Sequence, residues 1–269
     1  MRSLFRCLET QRVRYLVISG QASILYGAAL FSEDLDLWVE PSAPNITALL
    51  RALRAARARV HKLTPPLSGR NVRRGHAFHF MVPQRDGFDL QVDVMGQPPR
   101  VGSFASSERR SERMKTPWGR LPVVGLEDLV EIKKTNRPAD YEVITRLALI
   151  RLRRESAPPR AVIRWALQNM FRIEDLWETV HHWRPSLKAA DVAGSAAARL
   201  LHGIDRRSRT PSLSEFSKGA ALLGGTAGRL QARGRAYWLP IIGELKRLRS
   251  RGELIPEGLE VSSLIPPAR

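Results

Sequence analysis

Cysteine is almost absent from this sequence of 269 residues, in which Cys7 is the only one. A single cysteine excludes an internal disulfide and a zinc site built from cysteine ligands. Aromatic residues make up 7% of the chain, charged residues 26% and hydrophobic residues 43%. This composition excludes a disordered chain and a collagen-like fibre, and the length allows one large domain or two small ones with a hydrophobic core.

The sequence also lacks a long uninterrupted apolar run. Residues 16–31 are mostly apolar and follow Arg12 and Arg14, an order that a secretory signal would share. Gln21 and two glycines interrupt the run, and it is shorter than the roughly 20 apolar residues of a membrane span. We therefore expect a cytoplasmic protein without a membrane partner.

Acidic residues are few compared with basic ones. The chain has 44 Lys and Arg against 26 Asp and Glu, a net charge of +18, and both halves carry a basic excess. Such a charge favours association with a polyanion such as nucleic acid, but an ordinary solvated surface would have the same composition. The same two interpretations apply to Arg51, Arg54 and Arg57, which form a basic stripe on a predicted helix.

The hydrophobic pattern predicts a short strand at residues 122–124 and four longer strands in the first half of the chain, at residues 14–19, 34–40, 76–82 and 88–95. Arg85-Asp86-Gly87 supplies turn residues between the last two, which predicts a hairpin. A helix is predicted to begin at Asn45, whose side chain can cap the free N–H groups of the first turn. Two more helices are predicted at residues 125–133 and 139–153.

A break at Glu155–Arg160, with two prolines, is the best domain boundary in the sequence. Beyond it the pattern is helical almost throughout, with breaks predicted near Pro185, Pro211 and Gly224-Gly225. The sequence therefore predicts one domain of strands and helices at residues 1–154. A mainly α-helical C-terminal region follows at residues 155–269.

The pair Asp34 and Asp36 is the sharpest chemical feature. Two residues apart on a strand, their side chains leave the same face, with Cα atoms about 6.6 Å apart. Carboxylates this close repel each other unless a cation or a proton lies between them, and oxygen ligands on a rigid strand suit Mg²⁺. The alternative is an exposed strand whose polar face is acidic by chance.

A second acidic strand favours the metal interpretation. Asp89, Gln91 and Asp93 share one face of the strand predicted at residues 88–95. If this strand lies beside the first, Asp93 can complete a site of three carboxylates able to hold one or two Mg²⁺ ions. Asp93, which lies between two valines, is the preferred third ligand, and Asp89 is the reserve.

Two further features lie near these strands. Ser19-Gly20 ends a strand and begins a helix, a geometry that can present backbone N–H groups to an anion such as a triphosphate. The six histidines form no metal-binding motif, and His76 and His79, in a strand region, are predicted to be surface or turn-side residues.

Several segments resemble, in order, one known family. Leu16-Val-Ile-Ser-Gly20, Ser32-Glu-Asp34-Leu-Asp36 and Val92-Asp93-Val94 are similar to the glycine turn, the D-x-D motif and the third carboxylate of the nucleotidyltransferase fold of the DNA polymerase β superfamily. Small bacterial members from abortive-infection and toxin–antitoxin systems are the most similar. The likeness continues through Leu126-Glu-Asp-Leu129, Lys133 and Arg137, and covers residues 14–150.

Two positions depart from the family pattern. Ser19 stands where the family has the first glycine of a pair, and Leu30-Phe31 stand where an arginine is common. The hydroxyl of Ser19 can still donate a hydrogen bond to a phosphate, whereas the apolar pair removes a charge that would hold one.

The resemblance implies an α/β (α+β) fold for residues 1–154, with a nucleotidyltransferase-like mixed sheet flanked by helices. It also implies an Mg²⁺-dependent transfer of a nucleoside monophosphate from an NTP, such as ATP, to an acceptor hydroxyl. It implies that the catalytic metal ligands are Asp34, Asp36 and Asp93, and that the nucleotide-binding residues are Ser19, Gly20, Ser32, Lys133 and Arg137. The expected partners are the NTP, RNA or tRNA bound through the basic surface, and a cognate toxin or antitoxin.

Three alternatives remain open. The chain could be a non-catalytic, nucleotidyltransferase-like module that binds nucleic acid or acts as an antitoxin. It could also be an enzyme that modifies small molecules of the antibiotic type. Lys133 or Arg137 could form an ion pair with Asp140 that orients their helix, instead of contacting phosphates.

Overall fold

The computed structural model describes residues 1–84, 87–204 and 211–264. The chain folds as two compact units, one formed by Met1–Ile132 with Tyr237–Arg269 and the other by Lys133–Ala236. The sequence-based domain limits of 1–154 and 155–269 stay a prediction. Arg85 and Asp86 of the predicted hairpin turn lie outside the described residues.

The first unit is built on a mixed β-sheet. Its strands are β1 (Tyr15–Ile18), β2 (Asp34–Val39), β3 (Arg59–Val60), β4 (Ala77–Val82), β5 (Leu90–Met95), β6 (Glu112–Thr116) and β7 (Gly119–Val123). Within the described ranges these seven strands form one sheet in the order β3-β4-β5-β2-β1-β7-β6. β2 pairs in parallel with β5, and β1 in parallel with β7, whereas the other neighbours are antiparallel.

Helices flank this sheet, which confirms the predicted α/β fold class. They are α1 (Arg2–Thr10), α2 (Ser19–Leu25), α3 (Ala43–Ala55), α4 (Gly69–Arg73), α5 (Phe104–Arg109) and α6 (Leu126–Lys133). A 3₁₀ turn at Val261–Leu264 follows later in the chain. The sequence pattern predicted neither α1 nor the strand β6.

The two ends of β2 have different surroundings, and this difference positions the polar residues. Leu35 and Leu37 are fully buried on one face. Trp38 lies on the same face as Asp34 and Asp36, yet it is also fully buried. The Phe104 ring packs edge-on against it, with 5.7 Å between the ring centroids. Its indole N–H donates to the carbonyl oxygen of Gly96 at 3.0 Å. Only the first half of β2 therefore presents polar side chains.

Asn45 has a different role from the predicted one. α3 begins at Ala43, and its N-cap is Ser42, so the prediction that Asn45 caps the helix was wrong. The buried Asn45 side chain instead accepts a hydrogen bond from the Arg14 N–H at 2.7 Å and donates to the carbonyls of Arg14 and Glu40, at 2.9 and 2.8 Å. It thereby joins the residue before β1 to the residue after β2.

The second unit is helical. It contains α7 (Pro138–Arg153), α8 (Arg160–Gln168), α9 (Ile173–Trp183), a 3₁₀ turn (Arg184–Ser186), α10 (Ala189–Val192), α11 (Ala196–Gly203) and the first part of α12 (Leu213–Ser250). Its core is apolar and includes Leu167, Leu176, Val180 and Leu201, which are all fully buried. The segment between α7 and α8 coincides with the break predicted at residues 155–160.

The break predicted at Gly224-Gly225 was wrong, because α12 continues through both glycines. Glycine in a helix costs only about 1 kcal/mol relative to alanine and keeps the backbone hydrogen bonds. Gly219 in the same helix lets Ile173 approach closely, since an added Cβ would lie 2.5 Å from the Ile173 Cδ1 atom. None of the described helices is both long and apolar enough to cross a membrane.

We predict that Asn45→Ala destabilises the first unit by about 1–3 kcal/mol, because it leaves the Arg14 N–H and the Glu40 carbonyl without the partner that the buried Asn45 side chain supplies. Urea denaturation followed by circular dichroism measures the change. Thr47→Ala, at an exposed position of the same helix, is the matched control and should change stability by less than about 0.5 kcal/mol. Equal effects of the two substitutions would contradict the role assigned to Asn45.

Candidate metal centre

Three carboxylates meet where β2 and β5 run side by side. The parallel register pairs Asp36 with Asp93 and Asp34 with Gln91, so the predicted adjacency of the two acidic strands is confirmed. Asp34, Asp36 and Asp93 each offer an oxygen, and these oxygens all lie within 4.8 Å of one another. All three residues are half-buried, which leaves the cluster open to solvent.

The donor set of this cluster fits a divalent cation. Mg²⁺ binds oxygen ligands at about 2.1 Å, so two oxygens on opposite sides of one ion are about 4.2 Å apart. A small rotation of the side chains brings oxygens within 4.8 Å to such a separation. Asp34, Asp36 and Asp93 could therefore hold one divalent cation together.

The reserve candidate Asp89 is not part of the cluster. It is exposed, and its carboxylate forms an ion pair with Arg59 at 2.8 Å. The structure thus brings together the preferred set of three carboxylates. Their assignment as catalytic residues stays a prediction.

Asp93 is held by two neighbouring side chains. His79 lies opposite it in the β4–β5 register, with Nδ1 at 2.8 Å from Asp93 Oδ1, and Gln91 donates to the same oxygen at 3.1 Å. An ionised carboxylate can only accept, so the Nδ1 atom of His79 must carry the proton of that bond. Two donors on one oxygen fix the orientation of the Asp93 carboxylate.

The surroundings of Asp93 also keep it ionised. Burial raises the pKa of its carboxyl group, but the hydrogen bond and charge of His79, the hydrogen bond from Gln91 and the charge of Lys62 together lower the pKa below its ordinary value. His76 and His79 were predicted to be surface or turn-side residues, but His76 is fully buried and His79 makes this contact with the neighbouring strand. The available signal was the pairing of β4 with β5, which places a residue of each strand opposite the other.

The Asp34 side of the cluster depends on a glycine. The Ser32 hydroxyl donates to Asp34 Oδ1 at 3.1 Å. A Cβ atom added to Gly20 would lie 2.1 Å from Ser32 Oγ and 2.9 Å from Ser32 Cβ, so only glycine allows this approach. Ser19, just before it, has a left-handed φ of 55°. Gly20 and Ser32 therefore lie beside Asp34, and the nucleotide-binding role of Ser19, Gly20 and Ser32 stays a prediction.

Lys133 and Arg137 belong to the second unit. The buried Lys133 ammonium group donates to Asp140 Oδ1 at 2.8 Å, and the Thr135 hydroxyl donates to the other oxygen of Asp140. The ion pair that the sequence offered as an alternative is thus present. Arg137 is exposed. The nucleotide-binding role of Lys133 and Arg137 stays a prediction.

The fold and the cluster together define a mixed α/β protein with a candidate divalent-metal centre. No protein-family model and no curated protein match the sequence. Among solved structures, the chain is similar to a protein from Thermotoga maritima described as a "putative nucleotidyltransferase". The likeness covers 47% of this chain and 76% of that chain, with 12% identity and a TM-score of 0.33. A likeness this distant carries no argument about function, which must rest on the geometry of the site.

We predict that His79→Phe weakens Mn²⁺ binding by about tenfold or more, because it removes a donor that orients Asp93. His79→Asn should stay within a few-fold of the wild type, since the asparagine amide can donate from nearly the position of the Nδ1 atom. Isothermal titration with Mn²⁺ measures both affinities, and thermal denaturation checks that both variants fold. Equal affinities for the two variants would show that the hydrogen bond does not matter.

We predict that Lys133→Met lowers the stability of the second unit by about 3–5 kcal/mol, because it leaves the buried Asp140 carboxylate without its partner. Arg137→Met removes an equal charge from an exposed position and should cost less than about 1 kcal/mol. Chemical denaturation of both variants makes the comparison. If Lys133→Met unfolds like the wild type, the ion pair contributes nothing to stability.

Proposed function

We propose that the chain is a divalent-metal-dependent nucleotidyltransferase, which transfers a nucleoside monophosphate from an NTP to an acceptor hydroxyl and releases pyrophosphate. The observation that carries this proposal is the cluster of Asp34, Asp36 and Asp93, with oxygens within 4.8 Å of one another on paired strands. The ordered resemblance of the same segments to the nucleotidyltransferase fold supports it.

The three carboxylates have different roles in the proposed reaction. Asp34 and Asp36 would hold Mg²⁺ with the triphosphate, and Asp93 would help to activate the attacking hydroxyl. A bound Mg²⁺ neutralises charge on the phosphates and stabilises the attacking and leaving oxygens. The acceptor oxygen forms a bond to the α-phosphorus as the bond from that phosphorus to the bridging oxygen breaks. Pyrophosphate leaves with the electron pair, and the hydroxyl proton passes to the Asp93 carboxylate.

The chain's own residues prepare this site before a substrate arrives. His79 and Gln91 hold one oxygen of Asp93, and Ser32 holds one oxygen of Asp34. Because these donors lie on or next to paired strands, the carboxylates need little reorganisation during the reaction. Preorganised groups of this kind supply a large part of catalysis in many enzymes.

RNA is the acceptor that the charge of the chain favours. Arg51 and Arg54 of α3 are exposed, as is Arg57 just after the end of that helix, within a protein of net charge +18. Basic side chains bind the phosphate backbone with an affinity that falls steeply as salt rises, because each contact releases counterions. A tRNA end, which carries a free hydroxyl, is one such acceptor.

A second candidate function is a module that binds nucleic acid or a cognate toxin without turnover. Leu30 and Phe31 are 98% and 73% exposed at the position where the resemblance leads one to expect an arginine. Lys133, which the resemblance assigns to the phosphates, is instead buried against Asp140. In both cases a basic side chain that the resemblance places at the triphosphate is missing or is paired with another residue.

We predict that the wild type incorporates label from at least one of four labelled NTPs into total RNA in the presence of Mg²⁺. Asp34→Asn should reduce incorporation to below about one hundredth, because it removes a ligand charge from the centre. Asp89→Asn is the matched control, since Asp89 lies on the acidic segment but outside the cluster, and it should keep nearly full activity.

The outcomes separate the candidates. Label in RNA that depends on Asp34 supports the transferase with an RNA acceptor. Label found only on a small molecule would support the enzyme of the antibiotic type instead. Binding of RNA without incorporation from any NTP, by a protein that is folded and supplied with Mg²⁺, would contradict the transferase and favour the binding module.

A further inference from the structure

A second concave site lies in the first unit, between α1, β1 and the β6–β7 hairpin. It is a cavity of about 500 Å³, within the size range of small-molecule sites in proteins. Aromatic side chains form one wall. The Phe5 ring stacks at 6.2 Å from the Tyr15 ring and at 6.1 Å from the Trp118 ring, measured between centroids. Trp118 is half-buried, so part of its ring remains available to a ligand.

The charge that lines this cavity is mainly basic. Arg14 forms an ion pair with Glu108 at 2.5 Å, which neutralises that part of the wall. Arg12, Arg113 and Arg120 also line the cavity, are exposed, and form no ion pair with any residue that the structure describes. Glu9 is the one remaining acidic residue of the lining. An anionic ligand would therefore meet three available guanidinium groups.

Tyr15 adds a polar group without a partner. The residue is only 8% exposed and lines the cavity, and its hydroxyl forms no hydrogen bond with the described part of the chain. Burial raises its pKa to about 12, so the hydroxyl is a neutral donor at physiological pH. Because Tyr15 lines the cavity, a ligand there can take the place of water as the hydrogen-bond partner of this hydroxyl.

The cavity is separate from the metal centre. In the β1–β2 register Ile18 lies opposite Asp36, and Tyr15 lies opposite Val39. Residues directly opposite each other share a face, and successive residues alternate between faces. Tyr15 is three residues from Ile18, so it points to the face of the sheet away from the carboxylates. A ligand in this cavity therefore does not occupy the metal centre.

We propose that this cavity is a nucleotide-binding site, in which a planar base stacks on Trp118 and a phosphate contacts Arg113 and Arg120. Stacking on aromatic rings and contacts with arginine are the two means by which proteins hold single-stranded nucleic acid without reading its sequence. The occupant is a nucleoside phosphate, either free or as a unit of single-stranded RNA. This site does not depend on the proposed transfer reaction.

Titration calorimetry with the full-length protein tests the site, with EDTA present so that the metal centre holds no cation. The probes are AMP and an oligoadenylate of about six nucleotides, a length typical of such binding sites. The variants are Arg113→Ala combined with Arg120→Ala, and Tyr15→Phe, which keeps the ring. The control is Arg247→Ala combined with Arg249→Ala, which removes two exposed charges from α12, outside the cavity lining.

We expect the Arg113 and Arg120 double variant to bind at least one probe about tenfold more weakly or worse. Tyr15→Phe should lose about threefold to tenfold without a lower melting temperature. The control should stay within about twofold. Equal binding of AMP and the oligonucleotide identifies the occupant as a free nucleotide, and tighter binding of the oligonucleotide identifies it as RNA.

Two results would overturn the proposal. One is equal loss of affinity in the control and in the Arg113 and Arg120 variant, which would show attraction to the general basic surface. The other is the absence of binding that depends on the cavity, seen either as wild-type affinity in both cavity variants or as no binding of either probe by the wild type. Failure of NTP incorporation leaves this measurement unaffected, because EDTA already removes the metal that the transfer requires.

Discussion

The parallel pairing of β2 with β5 is the constraint on which the site depends, because it places the Asp36 carboxylate beside that of Asp93. Three negative charges within 4.8 Å repel one another by a few kcal/mol per pair at the effective dielectric of a protein surface. The fold maintains this arrangement because the other faces of both strands are fully buried, at Leu35, Leu37, Val92 and Val94. Hydrophobic burial thus stabilises an arrangement that electrostatics alone would oppose.

Local hydrogen bonds reduce that repulsion and fix the orientation of the carboxylates. His79 and Gln91 donate to one oxygen of Asp93, and Ser32 donates to one oxygen of Asp34. The neighbouring donors also lower the pKa of Asp93, so this carboxylate stays charged instead of sharing a proton. A cluster that remains ionised still requires a counter-charge, and a divalent cation is the ligand that three oxygens fit.

Period-two patterns in the sequence were sufficient to predict the three carboxylates. Leu35 and Leu37 alternate with Asp34 and Asp36, and Val92 and Val94 flank Asp93, so the buried and polar faces could be assigned before the strand pairing was known. The adjacency of the two strands was a hypothesis that only the fold could test. The same patterns predicted strands and helices in the first half of the chain, and the resemblance implied the mixed α/β sheet.

Long-range contacts explain what the sequence could not predict. The partner of His79 lies on another strand, and the close approach of Gly20 to Ser32 joins the first turn of α2 to the loop before β2. The bonds of Asn45 join the residue before β1 to the residue after β2. Local sequence rules assigned Asn45 to a helix cap and His79 to the surface. Both assignments were wrong because the neighbours of these two residues in space are remote in sequence. α12 passes through Gly224-Gly225 because residues that weaken a helix do not necessarily end it.

The claim that Asp34, Asp36 and Asp93 form a divalent-metal centre is tested most directly by a crystal soaked in Mn²⁺ and measured at the manganese absorption edge. The account predicts an anomalous peak with oxygens of all three carboxylates at about 2.1–2.3 Å, and loss of that peak in Asp36→Asn. An Mn²⁺ soak that gives no peak at the cluster, while the three side chains keep their positions, would contradict it.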